Sequence, residues 1–103
     1  MISITVKRDS SKRIRAFTAK NHSKSNVCAA VSMMVINTVN SIGALTGEPF
    51  DCKQDKKKGN ITFSLKLPEP GEGALLLLEA MYLGLSSVKD EYGKEIEIKE
   101  VFI

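Results

Sequence analysis

The sequence predicts an α+β domain of two layers: a mixed or mainly antiparallel sheet with two helices, in the order β-β-α-β-β-α-β. Three observations predict it. Several short segments alternate apolar and polar residues with a period of two, two longer ones repeat apolar residues at three- and four-residue steps, and turn-forming residues separate them. Helices with one apolar face pack on a sheet that offers one of its own. The 103 residues are one domain's worth of chain, 1–103, with no internal repeat and no linker.

Ile2 to Lys7 alternates through Ile2, Ile4 and Val6, the pattern of a half-buried strand. Asp9-Ser10-Ser11-Lys12 supplies a turn, and Ile14 to Ala19 alternates again, which gives a hairpin. The polar connector Lys20-Asn21-His22-Ser23-Lys24-Ser25 follows. Asn26 is suited to cap a helix in which Val27, Val31, Met34, Val35, Thr38, Val39 and Ile42 share one side, with Gly47 and Pro49 as the stop. Phe50 to Gln54 reads as a weakly marked strand because of its charges. Lys57-Lys58-Gly59-Asn60 reads as a turn, and Ile61, Phe63, Leu65 and Leu67 mark the clearest strand. After the loop of Pro68, Pro70, Gly71 and Gly73, a second helix runs from about Ala74 to Glu91. Gly84 inside it costs up to ~1 kcal/mol relative to alanine, so a close neighbour is expected there. Ile96 and Ile98 open a last strand that extends toward Phe102.

Composition narrows the function classes. With 43% apolar and 26% charged residues the chain is neither disordered nor of low complexity. The N-terminus alternates instead of forming the apolar block of a secretory signal, and in the second half the longest run without a polar residue is Ala74 to Leu78. The expectation is therefore a cytoplasmic protein without a membrane partner. One histidine and two cysteines, Cys28 and Cys52, cannot complete a four-ligand zinc site, so no metal and no other cofactor is expected. The net charge of +3 is uneven: Lys7, Arg8, Lys12, Arg13, Arg15, Lys20 and Lys24 stand against Asp9 alone in the first 24 residues. A second basic group surrounds Lys56-Lys57-Lys58. Such clusters allow contact with RNA or another polyanion, and equally describe solvated turns and strand faces.

The chemistry concentrates in one stretch, Asn21-His22-Ser23-Lys24-Ser25-Asn26-Val27-Cys28-Ala29-Ala30-Val31-Ser32. Cys28 falls in the first turn of the first helix, where unpaired backbone N–H groups and the positive end of the helix dipole favour an anion. His22, the only histidine, lies six residues upstream and can take a thiol proton and later protonate a leaving amine. Amides at the helix start could serve a developing oxyanion. Cys28 also stands at helical spacing from Val31 and Val35, so a plain core cysteine is the competing reading. Ser32 lies one turn further on the same side, and Asn26 reads chiefly as the cap. Cys52 reads as an ordinary surface or edge-strand thiol.

Cys28-Ala29-Ala30-Val31-Ser32, with a histidine just upstream at the end of a second strand, resembles the ribosomal-processing cysteine protease family, Prp. The Met-Ile start, Leu45-Thr46-Gly47, the leucine-rich second helix, Gly84-Leu85 and the late Tyr92 extend the likeness over most of the chain. The resemblance implies a small cytoplasmic endopeptidase that removes the N-terminal extension of a precursor of large-subunit ribosomal protein twenty-seven. It implies Cys28 as nucleophile and His22 as base and acid. Around them, Asn21, Ser23, Asn26 and Ser32 are taken as substrate-binding candidates. The resemblance also implies a homodimer and allows a contact with the ribosome. The chain departs from the family where Asn21-His22-Ser23 replaces Gly-His-Ala, where only five residues separate His22 from Cys28, and where Ser25 replaces an Asp. The alternative is a non-catalytic ribosome-associated or RNA-binding module that keeps the fold.

Overall fold

The computed structural model describes residues 1–20, 26–55 and 59–103, and of Asn26 the backbone only. The elements are β1 (Ile2–Arg8), β2 (Ile14–Lys20), α1 (Asn26–Ser41) with a π-helical turn (Ile42–Thr46), β3 (Phe50–Asp55), β4 (Asn60–Leu65), α2 (Glu72–Glu91) and β5 (Ile96–Phe102). They form one five-stranded mixed sheet in the order β3-β4-β2-β1-β5. β1 pairs antiparallel with β2 and parallel with β5, and β4 pairs antiparallel with both β2 and β3. The predicted class and element order are those observed.

This pairing makes both helices crossover connections between parallel strands, β2 to β3 and β4 to β5. The two crossovers leave strands of opposite direction and travel opposite ways along the sheet, so the same hand puts both helices on one face. Alternation supplies the apolar side of that face. Ile2, Ile4, Val6, Phe17, Ala19, Ile61, Phe63 and Ile96 are buried, whereas Ser3, Thr5, Thr18 and Thr62 point to the other side. Cys28, Val31, Val35 and Ile42 come down from α1, and Ala74, Leu78, Met81 and Leu85 from α2. Phe17 stacks on Phe63 at 5.1 Å between ring centroids, with Phe50 tilted against Phe63 at the same distance.

Several boundaries differ from the sequence expectation. Asn26, expected as the cap, is already helical, and the residues before it lie outside the described ones. β4 stops at Leu65 although Leu67 continues its alternation. Leu67 is 44% exposed, and the Arg15 guanidinium donates to the carbonyls of Leu67 and Pro68 in place of a strand partner. Pro68 has no N–H with which to extend a ladder. α2 begins at Glu72 instead of near Ala74, its carboxylate favourably placed in the first turn. The first helix closes at Gly47, whose φ of 69° is the left-handed conformation that ends helices.

Val27–Thr46 is long and apolar enough, at a mean hydropathy of 1.5, to cross a membrane by length and composition alone. Here it is a core helix of the two-layer domain, its inner stripe packed on the sheet. The helices run antiparallel, with Gly73 beside Thr46 and Gly84 beside Met34. A Cβ on Gly84 would come within 2.6 Å of Met34 Sδ, so the glycine allows the close approach its sequence position suggested.

Arg8 ties the layers together at the far end. It is 9% exposed, follows a bulge at Lys7/Arg8, and faces α2 and β5 at once. Its Nη1 donates to Glu79 Oε1 (2.5 Å) and to the Lys12 carbonyl (2.6 Å), and its Nε to Glu100 Oε2 (2.7 Å). The guanidinium lies 5.0 Å from the Tyr82 ring centroid, and the Tyr82 hydroxyl donates to Glu100 Oε1 at 2.6 Å. These partners push the Arg8 pKa further up. Asp9 holds the adjoining turn, accepting from the Ser11 and Arg13 N–H groups and from Arg13 Nε. Three arginines of the N-terminal basic cluster, Arg8, Arg13 and Arg15, are thus spent on internal partners.

Gly84→Val, which forces Met34 aside, should destabilise by about 1–3 kcal/mol in urea unfolding, and Gly84→Ala by less, because helix propensity offsets part of the clash. Arg8→Met should cost about 1–3 kcal/mol, discounted because Glu79 and Glu100 remain partly exposed. Tyr82 and Arg8 hold the Glu100 carboxyl below its ordinary range. At Asp9 burial pushes the carboxyl up, but the Arg13 and Ser11 hydrogen bonds outweigh it and the net shift is downward. Both contributions are complete above the unfolded carboxylate range near pH ~4 and are lost as pH falls through the lower folded values. Unfolding midpoints should therefore drop on the acid side, less steeply in Tyr82→Phe.

Candidate active site

β2 ends at Lys20 in the middle of the sheet, paired to Ser3 of β1, and the connector from it leads directly into α1. The third residue of α1 is Cys28, so the thiol stands in the first turn, at the positive end of the helix dipole. The side chain points toward the sheet and is 4% exposed, in a stripe with Val31 and Val35. Cys28 is part of the core cluster and at the same time sits near the helix N-terminus. Ser32, one turn further, is half-buried on the same side, as its spacing predicts.

His22, Asn21 and Ser23 lie outside the described residues, as does the Asn26 side chain. The structure thus places Cys28 and Ser32 of the predicted set. Cys52 is an exposed thiol on the edge strand β3, as expected, and neither cysteine is disulfide-bonded. Burial pushes the Cys52 thiol up, away from the thiolate that nucleophilic chemistry needs.

A cleft of about 370 Å³ opens beside the start of α1, lined by Val27, Ala30, Val88, Tyr92 and Glu95. Val27 and Ala30 flank Cys28 in the chain, while Val88 and Tyr92 come from the end of α2. The loop before β5 contributes Glu95 and is tied back by hydrogen bonds from the Ile2 N–H to the Glu95 carbonyl and from the Glu95 N–H to the Tyr92 carbonyl, both 2.9 Å. The sequence reading did not assign Val88 or Glu95 to a site. They carry no local motif, and only the antiparallel packing of the helices brings them to Val27 and Ala30.

A helix-borne cysteine in an open-faced α+β sandwich, preceded by a histidine on the connector, has the residues of a cysteine hydrolase. A family model described as Cysteine protease Prp matches residues 1–97. The chain belongs to the Prp family and is a cysteine protease. No curated protein matches the chain. Among solved structures, it is similar to the essential ribosomal processing protease Prp of Staphylococcus aureus with a covalently linked product peptide. That similarity has a TM-score of 0.90 at 24% identity, over 97% of this chain and 99% of the other. The same protease in complex with a substrate peptide gives 0.90 at 22% identity over the same shares. SMU.848 from Streptococcus mutans gives 0.87 at 23% identity, over 100% of this chain and 96% of the other.

Proposed function

We propose that the protein is a thiol endopeptidase that trims the N-terminal extension from a precursor of large-subunit ribosomal protein twenty-seven. The observation that carries the reading is Cys28 in the first turn of α1, within a chain whose family is the Prp cysteine proteases. Cys28 Sγ attacks the scissile carbonyl carbon after giving its proton to His22. Backbone N–H groups of the first turn receive the oxyanion. Collapse of the tetrahedral species breaks the C–N bond, and the imidazolium returns its proton to the leaving amine. What remains on the enzyme is a thioester of the N-terminal product. His22 then takes a proton from water as the water attacks that thioester, which releases the carboxylic acid and regenerates the thiol. Asn21, Ser23, Asn26 and Ser32 are assigned to holding the peptide near the thiol. The enzyme acts in the cytoplasm as a homodimer and meets its substrate at or near the ribosome.

The competing RNA-binding reading loses ground to the salt bridges. It drew on both basic clusters, and in the N-terminal one Arg8, Arg13 and Arg15 are engaged by Glu79, Glu100, Asp9, Glu69 and two backbone carbonyls.

The test is cleavage of a synthetic precursor peptide followed by mass spectrometry. Cys28→Ala should abolish it, and His22→Ala should lower kcat by about 10²- to 10⁴-fold. His22→Ala should also move the pH profile of Cys28 alkylation by iodoacetamide to higher pH. Unchanged cleavage by Cys28→Ala would overturn the assignment, and the non-catalytic module would then lead.

A further inference from the structure

The cleft beside the start of α1 joins an apolar wall to a free carboxylate. Val27, Ala30 and Val88 form the wall, Tyr92 adds a ring that is 48% exposed, and Glu95 adds the carboxylate. The backbone that carries Tyr92 and Glu95 is fixed by hydrogen bonds. The Tyr92 N–H donates to the Val88 carbonyl at 2.8 Å, and the Glu95 N–H to the Tyr92 carbonyl at 2.9 Å. Among the described residues, neither the Tyr92 hydroxyl nor the Glu95 carboxylate has a hydrogen-bond or ion-pair partner, and both residues are exposed. A polar group held by its backbone and left open at its tip is preorganised to meet a ligand.

We propose that this cleft selects the substrate by one lysine or arginine side chain near the scissile bond, its stem lying on Val27, Val88 and the Tyr92 ring and its charge meeting Glu95. The proposal rests on the endopeptidase reading above and gives that enzyme a preference for a basic residue.

Position, shape and charge each select this ligand. Val27 and Ala30 lie on either side of Cys28 in the chain, so a side chain held in the cleft belongs to a residue close to the bond that the thiol attacks. At about 370 Å³ the cleft has room for one long side chain and its adjoining backbone. Lysine and arginine carry an apolar stem under a cationic head, and lay the stem on apolar surface while the head stays with polar groups. The head is attracted by the face of a tyrosine ring as well as by a carboxylate. An apolar side chain would cover the Glu95 carboxylate without pairing it, and an acidic one would set like charges together. The neighbouring charges are Asp90 and Glu91 against Lys89 and Lys94, so with Glu95 this corner is acidic on a chain of net charge +3. Lys94 lines only a second hollow of about 390 Å³ that continues outward past Glu91, Tyr92, Gly93 and Glu95, and makes no ion pair with Glu95. A ribosomal protein precursor, whose mature form must neutralise RNA phosphates, is a source of such basic side chains.

The test is kcat/KM on precursor peptides varied one position at a time on either side of the scissile bond, for the full chain and for Glu95→Gln and Glu95→Lys. At one position the wild type should favour lysine or arginine over methionine by roughly 10- to 100-fold, chiefly through KM, as loss of a charge-assisted hydrogen bond does. Glu95→Gln should lose a similar factor on the basic peptide, and the two losses should not add when this variant meets the methionine peptide. Glu95→Lys should turn the preference at that position toward glutamate, which a merely structural role of Glu95 would not do. Should Glu95→Lys fail to fold, the non-additivity of the isosteric Glu95→Gln decides alone. Cleavage with no basic preference at any position, or a basic preference that survives both variants, overturns the proposal and leaves the endopeptidase reading standing. A preference for apolar residues alone, unaffected by Glu95→Gln, also overturns it, by assigning the cleft to an apolar side chain. A wild type that cleaves none of the peptides overturns the endopeptidase reading and this proposal with it.

Discussion

The buried apolar side chains of the sheet point to one side, and the rest of the structure depends on that constraint. Ile4, Val6, Phe17, Ile61, Phe63 and Ile96 leave a single face to be covered. Both crossovers must therefore bring their helices to it, and the chain leaving β2 must climb onto that face to begin α1. In the chain, residues 21–25, His22 among them, lie between β2 and α1, and the first turn of α1 contains Cys28. The candidate site is thus a product of topology: a strand end, a short connecting sequence and a helix start, with the thiol at the positive end of the helix dipole.

Two contacts hold this arrangement at its margins. Where the helices approach, Gly84 admits Met34, which sets their spacing and so the width of the cleft between Val27, Ala30, Val88 and Tyr92. At the distal end, Arg8 joins β1, α2 and β5 through Glu79, Glu100 and the Tyr82 ring, and the parallel strand β5 is anchored there. The same network explains why a run of basic residues near the N-terminus need not be a binding surface. A guanidinium with two carboxylates and a backbone carbonyl already on it has little left to offer a phosphate.

Most of the architecture was legible because it rests on periodicity. Ile2-Ile4-Val6 and Ile61-Phe63-Leu65 alternate without exception, and even the weakly marked segment from Phe50 is a strand, held by its backbone pairing to β4. What periodicity could not give was where a pattern is used. Leu67 continues the alternation of β4, yet the ladder ends before it because Arg15 takes the carbonyls there. Cys28, Ser32 and the edge-strand position of Cys52 followed from local spacing. Val88 and Glu95 did not, since they reach the cleft only through the antiparallel fit of α1 and α2. The partners of Arg8 were equally out of reach, Glu79 and Glu100 lying 71 and 92 residues away in the chain.

The central claim is that Cys28 carries the acyl group of the substrate. Mixing the enzyme with a precursor peptide, quenching in acid within the first turnover and mapping the adduct by mass spectrometry tests it most directly. The account predicts the N-terminal product bound as a thioester on the peptide that contains Cys28, and no adduct on Cys52. Cleavage that proceeds with no adduct on Cys28, or with the acyl group on Cys52, would contradict it.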